Sequence, residues 1–405
     1  MHMADALLSP AVAGTMYACS TAVAAYSVTK IRKEDDQTKI PTMGIMGAFV
    51  FAAQMINFTI PGTGSSGHLC GGMLLSAMLG APAGFLTMIG ILLIQCLMFA
   101  DGGLMALGAN VWNMAFYGCF IGAMVIWRLV MKNGASKKKI MAASIIGCVV
   151  TLQLGAFSVT LETLASGITE LPFTAFVSVM QPIHLCIGLV EGIITGAVLC
   201  FVYEARPELL WGIEAVDKKE KMPYKKVLAI LLAMAVIIAG GLSLVASSLP
   251  DGLEWSISKI TGATEVESTG GIYSFFAGIQ DKLAILPDYG FKSSDTIAGT
   301  SFSGIVGGVV VILLCVVCCN LFKFFRMGKF ENAIHEMCVI ENQAGKDNFL
   351  NNIHALAKLF VTVLYVCMVT SFPKYNVTGL VEMIIYPLII FNLGDIKFGK
   401  CIKRI

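Results

Sequence analysis

The sequence predicts an all-α polytopic membrane protein, and three observations carry that prediction. Hydrophobic residues make up 57% of the 405 and charged residues only 13%, with a mean hydropathy of +0.79, which is too apolar for a soluble globular chain. Apolar runs of about 20 residues, the length that crosses a bilayer as a helix, recur along the chain. The 28 lysines and arginines fall mostly in every second connection, as the positive-inside rule expects of cytoplasmic loops. The lipid bilayer is therefore a partner. A net charge of +2 supplies no basic field that would argue for nucleic acid, and none is expected as a partner.

Spans are expected near residues 9–29, 42–59, 82–100, 107–131, 140–164, 173–203, 225–248, 303–325, 355–372 and 378–395. Residues 69–81 are apolar but short, and Gly80-Ala81-Pro82-Ala83-Gly84 interrupts the run, so 69–100 is expected to form one short and one full helix. The result is a helical bundle of seven helices, then two helices flanking an extracytoplasmic loop, then two further helices. Lys30 and Arg32 after the first span, Arg128 and Lys137 to Lys139 after the fifth, and Lys218, Lys219 and Lys221 after the seventh place those loops in the cytoplasm. The N-terminus then lies outside the plasma membrane. A charged linker, residues 204–224, separates a domain of residues 1–205 from one of residues 225–325, and residues 331–405 form a third segment. Residues 249–301 are long for a structureless connection and are expected to be functional or packed. Residues 322–354 are expected to be partly helical, with an apolar face at Ile334, Met337, Cys338 and Val339. Most of the 13 cysteines sit in apolar runs and read as buried, reduced thiols. Residues 1–10 lack a basic n-region, so no cleaved signal peptide is expected.

The chain starts Met1-His2-Met3-Ala4-Asp5. A histidine in second position lets the Met1 α-amine, the His2 backbone nitrogen and the His2 imidazole close a five-membered and a six-membered ring on one ion. Three coplanar nitrogens suit Ni(II) and Cu(II), whereas Zn(II) prefers a tetrahedron and Mg(II) or Ca(II) prefer oxygen. A fourth donor is needed. His68 ends the Gly-rich segment Pro61-Gly-Thr-Gly-Ser-Ser-Gly-His68 on the same predicted side, where glycine lets backbone approach an ion; an incidental loop histidine is the alternative. Cys70 reads as packing or as a soft ligand.

Asn110 and Asn113 open the fifth span on that side and are candidates for orienting the imidazoles from behind, with helix capping the alternative for Asn110. His184 and Glu191 lie seven apart on one face of the seventh span; ionisable groups at membrane depth point to function, and a polar pair that fixes helix packing is the alternative. No G-x-x-x-x-G-K-[ST] phosphate cradle is present. His335-Glu336 lacks the second histidine of a zinc-protease motif, since Val339 stands in its place.

Met-His-Met-Ala-Asp-Ala at the start, Gly-Thr-Gly-Ser-Ser-Gly-His68, Asp101-Gly-Gly-Leu, Leu-Gly-Ala-Asn110 and His184 with Gly-Leu-Val-Glu191-Gly together resemble the CbiM/NikM substrate-specificity subunits of energy-coupling-factor nickel and cobalt transporters. The resemblance covers roughly residues 1–205. It implies that Met1, His2 and His68 hold the metal, and Asp101, where cobalt members often carry histidine, tilts the expectation toward nickel. Pro250-Asp-Gly-Leu-Glu254 is similar to the small companion subunit of these transporters. Residues 331–405, notably Ile353 to Tyr375, are similar to an N-terminal part of the transmembrane coupling subunit.

The expected function is metal capture and translocation in an ATP-driven Ni(II)/Co(II) uptake transporter, a chain that is not itself an enzyme. Ni(II) or Co(II) is the cargo, no catalytic cofactor is expected, and cytoplasmic ATPase subunits and a transmembrane coupling subunit are the expected partners. The rival reading is a membrane metal sensor or scaffold that binds without transporting. An intramembrane hydrolase is disfavoured because no nucleophile and base can be placed together.

Overall fold

Local signals set the helices of the N-terminal portion. The computed structural model describes residues 1–32, 34, 39–169, 171–213, 222–264, 266, 270–292, 299–318, 352–372, 383 and 385–393. Helix α1 (Pro10–Ile31) begins with proline in its first turn, behind Ser9, whose hydroxyl accepts the Val12 amide, the usual way a helix start meets its free N–H groups. Helix α2 (Lys39–Gln54) follows, then a two-stranded antiparallel hairpin, β1 (Phe58–Ile60) and β2 (Ser65–Gly67). Next come α3 (Gly72–Leu79) and α4 (Ala81–Phe99), broken at Gly80 with φ 81°. Then follow α5 (Leu107–Met131), α6 (Lys137–Ser166) and α7 (Phe173–Ala205). The expected pairing of one short and one full helix over 69–100 is present. The second expected span overshoots, because the helix stops at Gln54 and residues 58–60 pair as a strand.

Small residues bring the bundle's backbones together. A Cβ on Gly192 of α7 would lie 2.5 Å from Ile145 Cα of α6, and one on Gly72 of α3 would lie 2.9 Å from Gly118 Cα of α5. Close backbone approach of this kind gives helices dispersion contacts where lipid offers no hydrophobic drive. Leu154, Phe157, Leu161 and Leu164 on α6 and Leu185, Leu189 and Ile193 on α7 are exposed, as lipid-facing residues are. Among the described residues seven helices are long and apolar enough to cross a membrane; the chain is a multi-pass membrane protein.

Helix α8 (Tyr224–Gly240) packs against α2. The connection from residue 249 is a packed structure, with α9 (Gly252–Thr261) and α10 (Gly271–Leu283), ahead of α11 (Gly299–Cys318). Helix α9 is well signalled locally: Asp251 and Glu254 form a reciprocal cap, Lys259 sits in its last turn and Gly262 ends it at φ 82°. These segments dock on the first domain. Ser247 N–H donates to Asn57 O at 2.7 Å, Leu286 N–H to Met98 O at 3.1 Å, and Gln280 Nε2 to Gly102 O at 2.7 Å.

The contacts divide the chain into Met1–Phe322 and Lys323–Ile405. In the second unit α12 (Ala355–Thr370) and α13 (Ile385–Leu393) are described, and Tyr365 stacks on Tyr386 at 4.3 Å between ring centres. The expected amphipathic stretch at 334–339 lies outside the described residues.

Candidate metal-binding site

Residues 1–8 fold inward and are held from several sides. Asn110 grips the Met3 peptide at both poles: its Oδ1 accepts the Met3 N–H at 2.7 Å and its Nδ2 donates to Met3 O at 3.2 Å. Gly103 N–H donates to the same Met3 oxygen at 2.9 Å. Asp5 Oδ1 accepts the Ala106 N–H at 2.9 Å. Met1 and Met3 are buried, at 6% and 0% exposure. This is far from the frayed end a terminus usually makes.

The terminal amine, His2 and His68 meet in this fold. The His2 and His68 ring centres are 5.4 Å apart. The Met1 ammonium donates to Asp251 Oδ2 at 3.0 Å, and His68 Nε2 lies 3.9 Å from the same oxygen. His68 Nδ1 is 3.0 Å from the Leu69 carbonyl; a carbonyl only accepts, so Nδ1 carries the proton and Nε2 keeps its lone pair. His2 Nδ1 faces Asp101 Oδ1 at 3.4 Å, and its buried Nε2 has no hydrogen-bond partner. A chelate through Nδ1 requires the His2 ring to turn away from Asp101. Among the described residues no three His, Cys, Asp or Glu side chains gather as a metal centre.

Burial and the adjacent Met1 ammonium keep both imidazoles neutral. His2 is pushed down to about 3, first by burial and then by that ammonium. His68 is pushed down to about 4 by the same two effects, with His2 adding to them. Burial is the largest single effect on Asp251 and opposes its charge, yet the ammonium, His68 and the Glu254 amide together outweigh it and hold the carboxyl well below the usual carboxylate range. Burial raises Asp101 against the donation it receives from Tyr289, whose hydroxyl lies 2.5 Å from Asp101 Oδ2.

The other candidates take different positions. Asn110 holds the Met3 backbone. Asn113 Nδ2 donates to Glu162 at 2.7 Å and approaches Met3 Sδ at 3.6 Å, a support beneath Met3. Glu191 accepts the Cys70 and Gly71 amides, each at 2.8 Å, and so fixes the two residues that lead from the His68 loop into α3. It does not pair with His184. The His184 Nδ1 meets Met180 O at 2.8 Å, while its buried Nε2 has no partner and lines one small cavity with Met1, His68, Cys70 and Asp251. The Cys70 thiol donates to Met114 O at 3.2 Å, which supports packing over ligation. Asp251 was not foreseen as a site residue; its Asp-x-x-Glu signature announces a helix cap and conceals the second contact.

Residues 2–209 match the family described as the cobalt uptake substrate-specific transmembrane region, CbiM, and residues 225–324 match the PDGLE domain. A protein of Archaeoglobus fulgidus, provisionally named fused nickel transport protein NikMN, is 37% identical over 317 residues, which are 78% of this chain and 96% of that one. The cobalt transport protein CbiM of Sorangium cellulosum is 29% identical over 223 residues, 53% of this chain and 97% of its own. The crystal structure of a truncated transition metal transporter shares 31% identity, covers 50% of this chain and 99% of its own, and has a TM-score of 0.45. The chain belongs to the CbiM family, in the form fused to a PDGLE domain, and is a membrane component of metal uptake.

Proposed function

We propose that the chain captures Ni(II) or Co(II) at the outer face of the plasma membrane and delivers it as the membrane component of an ATP-driven importer. The donors are the Met1 amine, the His2 backbone nitrogen, the His2 imidazole and His68 Nε2. The observation that carries this reading is the convergence of a buried chain terminus with two neutral imidazoles, which no packing requirement explains. Four nitrogens favour nickel, and the relative 37% identical to this chain is named for nickel transport. Extracytoplasmic capture is supported by charge: Arg128, Lys137, Lys138, Lys139 and Arg206 lie at the ends of α5, α6 and α7 away from Met1. Cytoplasmic ATPase subunits and a transmembrane coupling subunit supply the energy and the route.

The test titrates the purified full chain and His2→Ala with Ni(II), then measures Ni(II) entry into proteoliposomes with and without those partner subunits. Binding lost in His2→Ala, with uptake that needs ATPase and coupling subunits, is expected. Equal binding by both proteins removes the site, and tight binding without uptake in any reconstitution makes the chain a sensor.

A further inference from the structure

Asp251 belongs to the PDGLE domain, yet it touches two of the proposed donors. Its Oδ2 is 3.0 Å from the Met1 nitrogen and 3.9 Å from His68 Nε2. Its Oδ1 accepts the Leu253 and Glu254 amides at 2.8 and 2.9 Å, so the carboxylate cannot turn from the terminus without uncapping α9. The start of α9 is itself sewn to the loop that carries His68. Ser66 N–H donates to Pro250 O at 2.8 Å, the Ser66 hydroxyl to Leu249 O at 2.7 Å, and Trp255 Nε1 to Thr63 O at 3.0 Å. On the far side Gly252 is pressed against α7: a Cβ there would lie 2.9 Å from Ile187 Cδ1 and 3.1 Å from His184 Cε1. The Asp251-Gly252 turn therefore has one place to sit, and in that place its carboxylate faces the terminal amine beside His68.

We propose that Asp251 is a positioning residue of the metal site, supplied by the PDGLE domain: its Oδ2 accepts an N–H of the Met1 amine and aims the amine lone pair at the ion that His68 Nε2 faces. This inference deepens the nitrogen-site reading and rests on it. An amine that gives its lone pair to a metal retains N–H bonds, so the Asp251 contact persists in the loaded site. Holding the amine beforehand removes an ordering cost that a loose terminus would meet on binding. Groups that orient a ligand from behind it are typically worth about 10- to 100-fold in metal affinity. The metal site is then complete only when both domains contribute.

The test uses the full chain, Ni(II) titration, and Cu(II) as a spectroscopic probe whose electron paramagnetic resonance reports its nitrogen donors. Asp251→Asn, which still caps α9, is expected to fold, to bind Ni(II) about 10- to 100-fold more weakly and to alter the Cu(II) signature. Glu254→Gln disturbs the same cap but leaves the Oδ2 contact intact, and is expected to stay close to wild type in both readouts. Wild-type affinity and signature in Asp251→Asn would overturn the inference, as would equal weakening in both variants with an unchanged signature, which is what a mere cap would give. His2→Ala separates the two levels of the argument. If it abolishes binding while Asp251→Asn does nothing, only this inference fails; if it binds like wild type, the nitrogen site fails and takes this inference with it.

Discussion

Adding one alanine before Met1 tests the arrangement at its most exposed assumption, because the terminal nitrogen is buried. Met1 is 6% exposed, and it lines a small cavity together with Gly67, His68, His184, Asp251 and Gly252. The extension turns the amine into an amide, removes its positive charge and demands room for another residue. Leaving one partner of a buried ion pair without the other costs about 3–5 kcal/mol. The Asp251 side chain is 14% exposed, which puts the cost near the lower end, about 3 kcal/mol. That alone lowers the fraction of chains with a docked terminus, and hence the apparent affinity, by about 100-fold. Loss of a strong nitrogen donor adds to it. Calorimetric Ni(II) titration of the native chain, the extended chain and a chain tagged after Ile405, each checked by its thermal melt, measures the effect. Native-like affinity in the extended form would refute the reasoning, and the site would have to be rebuilt around His68, His184 and Cys70.

Four further outcomes are expected. His68→Ala should keep the fold and weaken Ni(II) binding beyond the roughly 100-fold that loss of a supporting group explains; equilibrium dialysis checks this. Glu191→Gln leaves one of the Cys70 and Gly71 amides unmet at a cost of about 1–3 kcal/mol, so the melting temperature in detergent should fall and Ni(II) binding should weaken with it. His2 and His68 titrate in the fold near 3 and near 4, below their usual 6.5; such lowered bases add stability that is complete above about pH 6.5 and is lost as pH falls toward those values. At pH 7 Ni(II) should therefore displace protons from the amine and the His2 peptide alone, about two per ion, and calorimetry in buffers of different ionisation enthalpy would read about four if the imidazoles were charged. In intact cells, an impermeant thiol reagent should label Ala263→Cys and spare Lys138→Cys, and the reverse pattern would invert the orientation.

Where one residue's neighbours in sequence determine its structure, the sequence was readable. Gly80 was read as a break in the apolar run and does separate α3 from α4, whereas the caps at Ser9 and at Asp251 with Glu254 are equally local signals that were not read from the sequence. The second span was drawn too long because Met55, Ile56 and Phe58 continue its apolar run. What ends it is tertiary: Asn57 O is taken by Ser247 N–H, and Phe58 is paired with Gly67. Local propensity yields to such partners. Met1, His2 and His68 were named together in the sequence because chelate geometry singled out the first two and the charge pattern assigned the third to the same side; the His2 and His68 rings lie 5.4 Å apart. Glu191 was seen as a polar residue at membrane depth, but its partners, the Cys70 and Gly71 amides, are backbone groups that no side-chain pattern announces.

Asp251 was missed for a physical reason that also says what the PDGLE domain contributes. It lies 250 positions from Met1, and no local pattern relates an N-cap aspartate to a distant amine. Its cap uses one carboxylate oxygen and leaves the other for the terminus. The same domain grips the other edges of the terminal segment: Tyr273 donates to Leu8 O at 3.0 Å, Gln280 to Gly102 O, and Tyr289 to Asp101, the carboxylate that His2 faces. A chain end has one peptide neighbour and ordinarily frays, so a terminal amine is ordered only by contacts made from outside. Asn110 supplies such contacts at Met3 from the first domain, and Asp251 and Tyr289 supply them from the second, one beside the amine and one behind the Asp101 that faces His2. Order in the terminal hook is thus a property of the two domains docked together, and a change that loosens α9 or the Tyr289 turn should be felt first at Met1 and His2.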